Sequence, residues 1–355
     1  MNKLIEQVIT QCINLHIPFV AYQEEYSDEI SFFSNPSHPK SGVHKDVYFS
    51  IVEFNTTFKE RQCIYFEYDV NETLDLLKNN YISDKMIYVS TPEQNSTNYN
   101  EYINQVQSII NHLKQKEGKI VLSKIYCNKH NITNYSLLVQ KYFSAYPNTF
   151  RYIYYTPQTG FWIGATPEIL LKYNTQTKEL KTMSLAGTRL RRENDIPWDQ
   201  KNLEEHKFVT QYISKILLSY NLNTSISPLW NMHFGNNIEH LCNKISAINV
   251  PSNIIESILD ELSPTPALAG FPKQAAINKI NSIEQHNRRC YGGYIAIHNN
   301  EDISAYVNIR CAQFDKKTYC IYSGGGITKD SNPIEEWKET ENKISTLKRV
   351  FHETM

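Results

Sequence analysis

YGGYIAIHNNEDISAYVNIRCAQFDKKTYCIYSGGGI, residues 291–327, is the stretch that decides the fold. Its β-branched and aromatic residues predict strands at Tyr291–His298, Ile303–Phe314 and Lys317–Tyr322, separated only by short polar turns. Turns this short return each strand antiparallel to the last, since a parallel pair needs a long crossover.

Upstream, the same patterning predicts strands at Lys119–Tyr126, Phe150–Tyr155, Phe161–Gly164, Ile169–Tyr173 and Glu179–Leu185. Helices are predicted at Glu101–Lys116, Gln200–Tyr220, Pro272–Asn287 and Pro333–Phe351. The first of these carries Ile103, Val106, Ile109, Ile110 and Leu113 on one face and ends at Gly118, read as its C-cap. Helices inserted among antiparallel strands give an α+β fold rather than regular βαβ alternation.

Residues 1–100 are less regular. A helix over 2–15 leads into a strand at Ile17–Tyr22, followed by short aromatic strands at Asp46–Phe54 and Gln62–Tyr68 and polar loops at Asn35–Gly42 and Thr91–Asn100. No repeat or low-complexity linker divides the chain. It is therefore read as one compact unit, with 1–100 a variable part of the same fold and 101–355 the region that carries the chemistry.

Composition sets further bounds. Apolar residues at 41% and charged residues at 21% of 355 are ordinary for a globular protein and exclude disordered and disulfide-scaffold classes. A net charge of −1 with no basic stripe speaks against nucleic-acid or membrane-surface partners. Cys12, Cys63, Cys127, Cys242, Cys290, Cys311 and Cys320 form no CxxC pair and are expected to be reduced thiols of a cytoplasmic protein. Glu6, Gln7 and Gln11 interrupt the N-terminal apolar pattern, so it does not form a signal peptide, and no stretch is apolar enough to span a bilayer.

Three features point to a site. Glu205 lies one turn before Val209, at the rim of the buried face of the 200–220 helix, while Glu336 and Glu339 lie three apart on the last helix. Carboxylates from two helices, without histidine or cysteine, suit a hard ion such as Mg²⁺. Glu339 with Lys343 could equally be a surface i,i+4 pair worth ~0.3–0.5 kcal/mol. The run Gly324-Gly325-Gly326, read as a turn between strand and helix, offers backbone N–H groups to an anion, and Arg310 on the preceding strand could clamp a carboxylate there. The alternative, a surface arginine beside a β-turn, stays open on spacing alone. Neither GxxxxGK[ST] nor GxGxxG occurs.

Nine blocks occur in the order and approximate spacing of the chorismate-utilising enzymes, and on them residues 101–350 resemble that family. They are GKIVLSKIY (118–126), GATPEILLK (164–172), LAGT (185–188), EEHKFV (204–209), SPTPALAGFPKQAA (263–276), ExxxRxxYGG (284–293), IRCA (309–312), SGGGI (323–327) and EEWKETENK (335–343). The resemblance implies a large two-layered antiparallel β core with flanking helices and chorismate as the small-molecule substrate. It implies that Glu205 and Glu339 hold Mg²⁺, with Glu336 behind them through water. Arg310, Gly324, Gly325, Gly326 and Lys343 would surround the enolpyruvyl carboxylate, with Thr188, Ala267 and Leu268 lining the pocket.

Two positions would set the chemistry. Members that attack chorismate with water carry a lysine as general base where Lys119 stands; members that use ammonia carry glutamine. Glu168 resembles the general acid that protonates the departing 4-hydroxyl, and for that its environment must keep it protonated near neutrality. Without the resemblance, Lys119 would read as a snorkelling surface lysine.

The Pro-Thr-Pro-Ala run at 264–267 resembles the isochorismate synthases more than the anthranilate, aminodeoxychorismate or salicylate synthases. The implied activity is isomerisation of chorismate to isochorismate by a monomer without a glutamine amidotransferase subunit. Among the pathways fed by isochorismate, menaquinone synthesis is preferred over siderophores as the more widespread. Salicylate synthase, which adds pyruvate elimination, is the nearest alternative, and a non-catalytic chorismate-binding protein the next. Ser263, Asn243, Ala296 and Asn202 depart from the usual residues; Ser263 puts a substrate hydrogen bond in doubt and Asn202 a contact behind the metal.

Overall fold

In a computed structural model of the protein, the structure describes residues 3–35, 47–79, 95–132, 134–190, 197–234, 238–300, 302–315 and 317–354. Most of the predicted 35–42 loop, the first half of the 91–100 loop and the start of the 46–54 strand lie outside these residues.

Two large sheets form the body. The first runs, in spatial order, β13 (Gly270–Phe271), β5 (Lys119–Lys129), β17 (Thr318–Ile327), β16 (Cys311–Phe314), β7 (Gly160–Thr166), β6 (Phe150–Thr156), β1 (Phe19–Gln23) and β2 (Ser31–Ser34). The second runs β10 (Thr224–Ile226), β12 (Ile238–Ala247), β9 (Glu179–Leu190), β8 (Ile169–Asn174), β15 (Asp302–Val307), β14 (Tyr294–His298), β3 (Tyr48–Val52) and β4 (Gln62–Tyr65), with β11 (Trp230–Phe234) also on β12. Every pairing among these strands is antiparallel. The helices are α1 (Lys3–Leu15), α2 (Val70–Lys78), α3 (Tyr99–Leu113), α4 (Tyr135–Ala145), α5 (Gln200–Ser219), α6 (Ile255–Leu262), α7 (Lys273–Ile283) and α8 (Pro333–His352). The α+β architecture is the one the 291–327 stretch implies.

Strand alternation explains how the layers meet. On β6, Phe150, Tyr152 and Tyr154 enter the central core with Phe49, Ile51 and Trp162, while Ile153 and Tyr155 face the opposite side, where α1, α4 and α8 cover the first sheet. A third cluster joins α3 and α7 to Ile120 and Leu122 of β5. The N-terminal residues supply β1 and β2 to one sheet and β3 and β4 to the other.

Four expectations are corrected. The predicted 303–314 strand is two strands in different sheets, and Arg310 sits in the break between them at φ 50; apolar patterning cannot register a chain that changes sheet. Gly324–Gly326 form no turn: they are the last part of β17, facing Ser123, Leu122 and Val121 of β5. Gly118 is not a helix cap, since α3 ends at Leu113. Its φ is +150, and a Cβ there would lie 2.3 Å from the carbonyl oxygen of Phe271. Finally, Cys127 and Cys320 are not free thiols. They stand directly opposite on β5 and β17 and are joined as a disulfide; their separation of 193 residues conceals the pairing in the sequence. Cys12, Cys63, Cys242, Cys290 and Cys311 are free. Among the described residues, no helix is long and apolar enough to cross a membrane.

Candidate active site

A solvent-open cleft with a cavity of about 80 Å³ lies between the ends of the two sheets. Glu168, Thr188, Glu205, Ala267, Leu268, Arg310, Gly324, Gly326 and Lys343 line it, so nine residues from seven of the sequence blocks meet at one place. Lys119, Gly325, Glu336 and Glu339 lie just behind this lining and are tied to it as follows.

Lys119 opens β5 between β13 and β17 and is fully buried. A buried ammonium needs a partner, and its Nζ donates to Glu205 Oε1 at 2.5 Å. Glu205 reaches the contact from α5, over Gly326. A Cβ at Gly326 would lie 2.4 Å from Lys119 Cε and 2.8 Å from Glu205 Oε1, so the bare strand makes room for both side chains.

Glu168 lies between β7 and β8 and is 2% exposed. Burial pushes its carboxyl up to about 8, although the nearby Lys119 charge and the Thr265 hydroxyl pull the other way. The carboxyl is thus protonated at neutral pH and close enough to Lys119 to feel its charge.

Arg310 is buried at the sheet crossing. Its carbonyl accepts from Tyr142 Oη at 2.7 Å and the Ala165 amide at 3.1 Å, which pins its unusual backbone. Its guanidinium Nη2 lies 3.3 Å from His240 Nε2. Burial, with Arg310 and Lys343 beside it, draws His240 down to about 3, so the ring is neutral. Nδ1–H therefore donates to the Gly187 carbonyl at 3.0 Å and Nε2 accepts from Arg310. Lys343 donates to the Gly324 carbonyl at 2.8 Å and to Glu339 Oε1 at 2.7 Å, so the i,i+4 pair is turned inward.

Glu205, Glu336 and Glu339 all lie within electrostatic reach of Lys201, four residues before Glu205 on α5. Lys201 Nζ bonds Glu336 Oε1 at 2.5 Å. Glu336 is 2% exposed, and its Oε2 accepts no hydrogen bond of normal geometry. Burial holds the Glu336 carboxyl above its ordinary range despite Lys201. For Glu339, burial is outweighed by Lys343, and its carboxyl is held low. Among the described residues, no three acidic, histidine or cysteine side chains form a ready-made metal cage. An oxygen-only set with few protein ligands is what Mg²⁺ accepts, because it keeps several waters. The buried Glu336 Oε2, left without a hydrogen bond of normal geometry, fits such an ion.

The departures also find places. Asn202 Oδ1 accepts from the Thr188 amide at 3.1 Å, holding the LAGT strand to α5. Asn243 Oδ1 accepts from His206 Nε2 at 2.6 Å. Ser263 gives its carbonyl to Lys273 Nζ at 2.7 Å. Sequence reasoning missed His240, Tyr291, Tyr322 and Ser323 in the cleft and Lys201 behind it. Lys201 shares a helix face with Glu205 by its i,i+4 spacing and was findable on that ground; Tyr291 stands inside a quoted block.

A model of the family described as chorismate binding enzyme matches residues 37–352. Isochorismate synthase EntC of Escherichia coli strain K12 is 29% identical over 255 residues, covering 66% of this chain and 62% of EntC. Isochorismate synthase MenF of Haemophilus influenzae is 32% identical over 208 residues, covering 54% of this chain and 46% of that protein. The matched stretch thus spans less than two thirds of either relative. The solved structure of MenF, the menaquinone-specific isochorismate synthase of E. coli, superimposes with TM-score 0.75 at 19% identity, over 94% of this chain and 88% of that one. At that identity the likeness speaks for the fold.

Proposed function

The chain belongs to the chorismate-binding enzymes, and we propose that within them it is an isochorismate synthase. Lys119 acts as the base in its neutral amine form, after giving up a proton, and takes a proton from the water that attacks C2 of chorismate. The ring double bond migrates, and Glu168 delivers its proton to the departing C4 hydroxyl. Arg310, held by neutral His240, and Lys343 bind the enolpyruvyl carboxylate, while Thr188, Ala267 and Leu268 form the pocket wall. Glu205 and Glu339 would hold Mg²⁺ with Glu336 behind them, and the ion would supply positive charge against the ring carboxylate. The observation that carries the reading is that a fully buried lysine lies within electrostatic reach of a buried carboxyl raised to about 8 on the cleft wall.

Lysine in place of glutamine at 119 makes water the nucleophile, so no ammonia-supplying partner is needed. Menaquinone synthesis is the proposed destination, on the ground of its wide use; menaquinone content of a deletion strain tests it. The reaction is tested by incubating purified protein with chorismate and Mg²⁺ and separating the products. Isochorismate without pyruvate is expected. Salicylate with stoichiometric pyruvate would assign the chain to the salicylate synthases, and chorismate binding without turnover would make it a binding protein.

A further inference from the structure

Glu284 and Arg288, from the ExxxR part of the 284–293 block, take no part in the chemistry above. They form an ion pair whose side chains are each 3% exposed. Arg288 Nε donates to Glu284 Oε2 at 2.8 Å and Nη2 to Oε1 at 2.6 Å, a two-point contact. The rest of the guanidinium is spent on backbone. Nη1 donates to the Leu268 carbonyl at 2.7 Å, and Nη2 to the Val121 carbonyl at 2.7 Å. Glu284 Oε1 in turn accepts from the Ser123 amide at 2.7 Å and hydroxyl at 2.9 Å.

One ion pair thus ties two segments together. Val121 and Ser123 belong to β5, two and four residues after Lys119. Leu268 and its neighbour Ala267 form part of the cleft wall. The Val121 amide bonds the Ala269 carbonyl at 3.0 Å, and β13 then pairs Gly270 with Ile120 and Phe271 with Lys119. At Leu268 the wall has not yet joined that ladder, and the Arg288 fork bridges it to the strand. A planar guanidinium reaches two carbonyls and a carboxylate together; an ammonium on a flexible stem does not hold that geometry.

We propose that Arg288, braced by Glu284, is a positioning residue that sets the Ala267–Leu268 wall against the Lys119 end of β5. The inference rests on the reading of the cleft as the chorismate site. It is tested with Glu284→Gln, which keeps an acceptor for Ser123 but removes the charge, and with Arg288→Lys. Hydrogen exchange is read across the chain, and KM, kcat and the half-saturating Mg²⁺ are measured on the same samples.

The expected result is tenfold or faster exchange confined to residues 265–271 and 119–123, KM for chorismate raised at least tenfold, and the Mg²⁺ requirement within twofold of the parent. Arg288→Lys is expected not to restore KM despite its charge. Unchanged exchange at 265–271, or a KM within twofold, overturns the proposal; so does faster exchange spread over both sheets, which would make the pair a general element of the fold. If Arg288→Lys does not fold, the milder Glu284→Gln decides. If the parent turns over no chorismate, the functional reading fails, and the exchange pattern still judges the strut.

Discussion

Lys119 Nζ and Glu205 Oε1 are 2.5 Å apart, so an amine at the head of a strand and a carboxylate on a helix meet above a strand that has no side chain to keep them apart. The contact joins the two halves of the proposed chemistry. In that proposal the amine serves proton transfer and the carboxylate serves the ion, and through the contact each is held in place by the other.

Replacing Lys119 by glutamine shortens the side chain by one atom, keeps an N–H donor and removes its base. The variant is expected to lose water-dependent turnover by roughly 10²–10⁴-fold, the usual worth of a positioned general base. Near-UV circular dichroism should match that of the parent. Near-normal isochorismate formation in a folded variant would remove Lys119 from the mechanism.

The glycine strand makes a paired prediction. At Gly326 a methyl group would sit 2.4 Å from Lys119 Cε and 2.8 Å from Glu205 Oε1, so both must move. At Gly325 the nearest atom is Glu336 Oε2 at 3.3 Å, a milder encroachment on the other face of the strand. Gly326→Ala is therefore expected to lower kcat/KM by about 100-fold, in line with the cost of ångström-scale misplacement in an active site. Gly325→Ala should cost far less. Steady-state kinetics of the two variants check the order, and equal losses would refute it.

Glu205→Gln is nearly isosteric and leaves Lys119 a hydrogen-bond acceptor, but it withdraws a negative charge from the proposed ion site. The half-saturating Mg²⁺ concentration is expected to rise about tenfold or more, the scale of loss when a metal site is disturbed. Titration of activity with Mg²⁺ reads this out. An unchanged response would move the metal site elsewhere.

How much of this was legible in the sequence depends on the range of the interaction. The helices carrying Glu205 and Glu339 were readable because helical periodicity is local, and their observed bounds, Gln200–Ser219 and Pro333–His352, lie close to the predicted ones. The glycine run was located but misassigned: a strand without side chains shows no alternation, so Gly324–Gly326 looked like a turn. Arg310 was found as a cation, but its position at a crossing between sheets depends on pairings that no window of residues contains. The Cys127–Cys320 bridge and the His240–Arg310 contact were hidden for the same reason. Asn202 was noticed only as a departure, and its bond to the Thr188 amide appears once α5 lies against β9.

Glu168 yields a prediction in which activity and stability change in opposite directions. Its carboxyl moves from an ordinary value of 4.5 to about 8 through burial. Below pH 4.5 the group is protonated in both folded and unfolded chains and contributes no pH dependence. Between 4.5 and about 8 the folded chain keeps a proton that the unfolded chain has lost. Stability therefore falls with rising pH across that window, by up to about 1.4 kcal/mol per pH unit, and levels off above it. Glu168→Gln removes this dependence while keeping a donor of similar shape. Its Tm should exceed that of the parent at pH 8, and the difference should vanish as the pH approaches 4.5. The same substitution should lower turnover by roughly 10²–10⁴-fold, because an amide cannot supply the proton. In the parent, kcat/KM should decline as pH rises past about 8, since that ratio reports the ionisation of the free enzyme. Thermal unfolding at several pH values, with a pH–rate profile, checks both arms. A Glu168→Gln variant that is less stable than the parent at pH 8 would show that the buried carboxyl is held by contacts worth more than its desolvation.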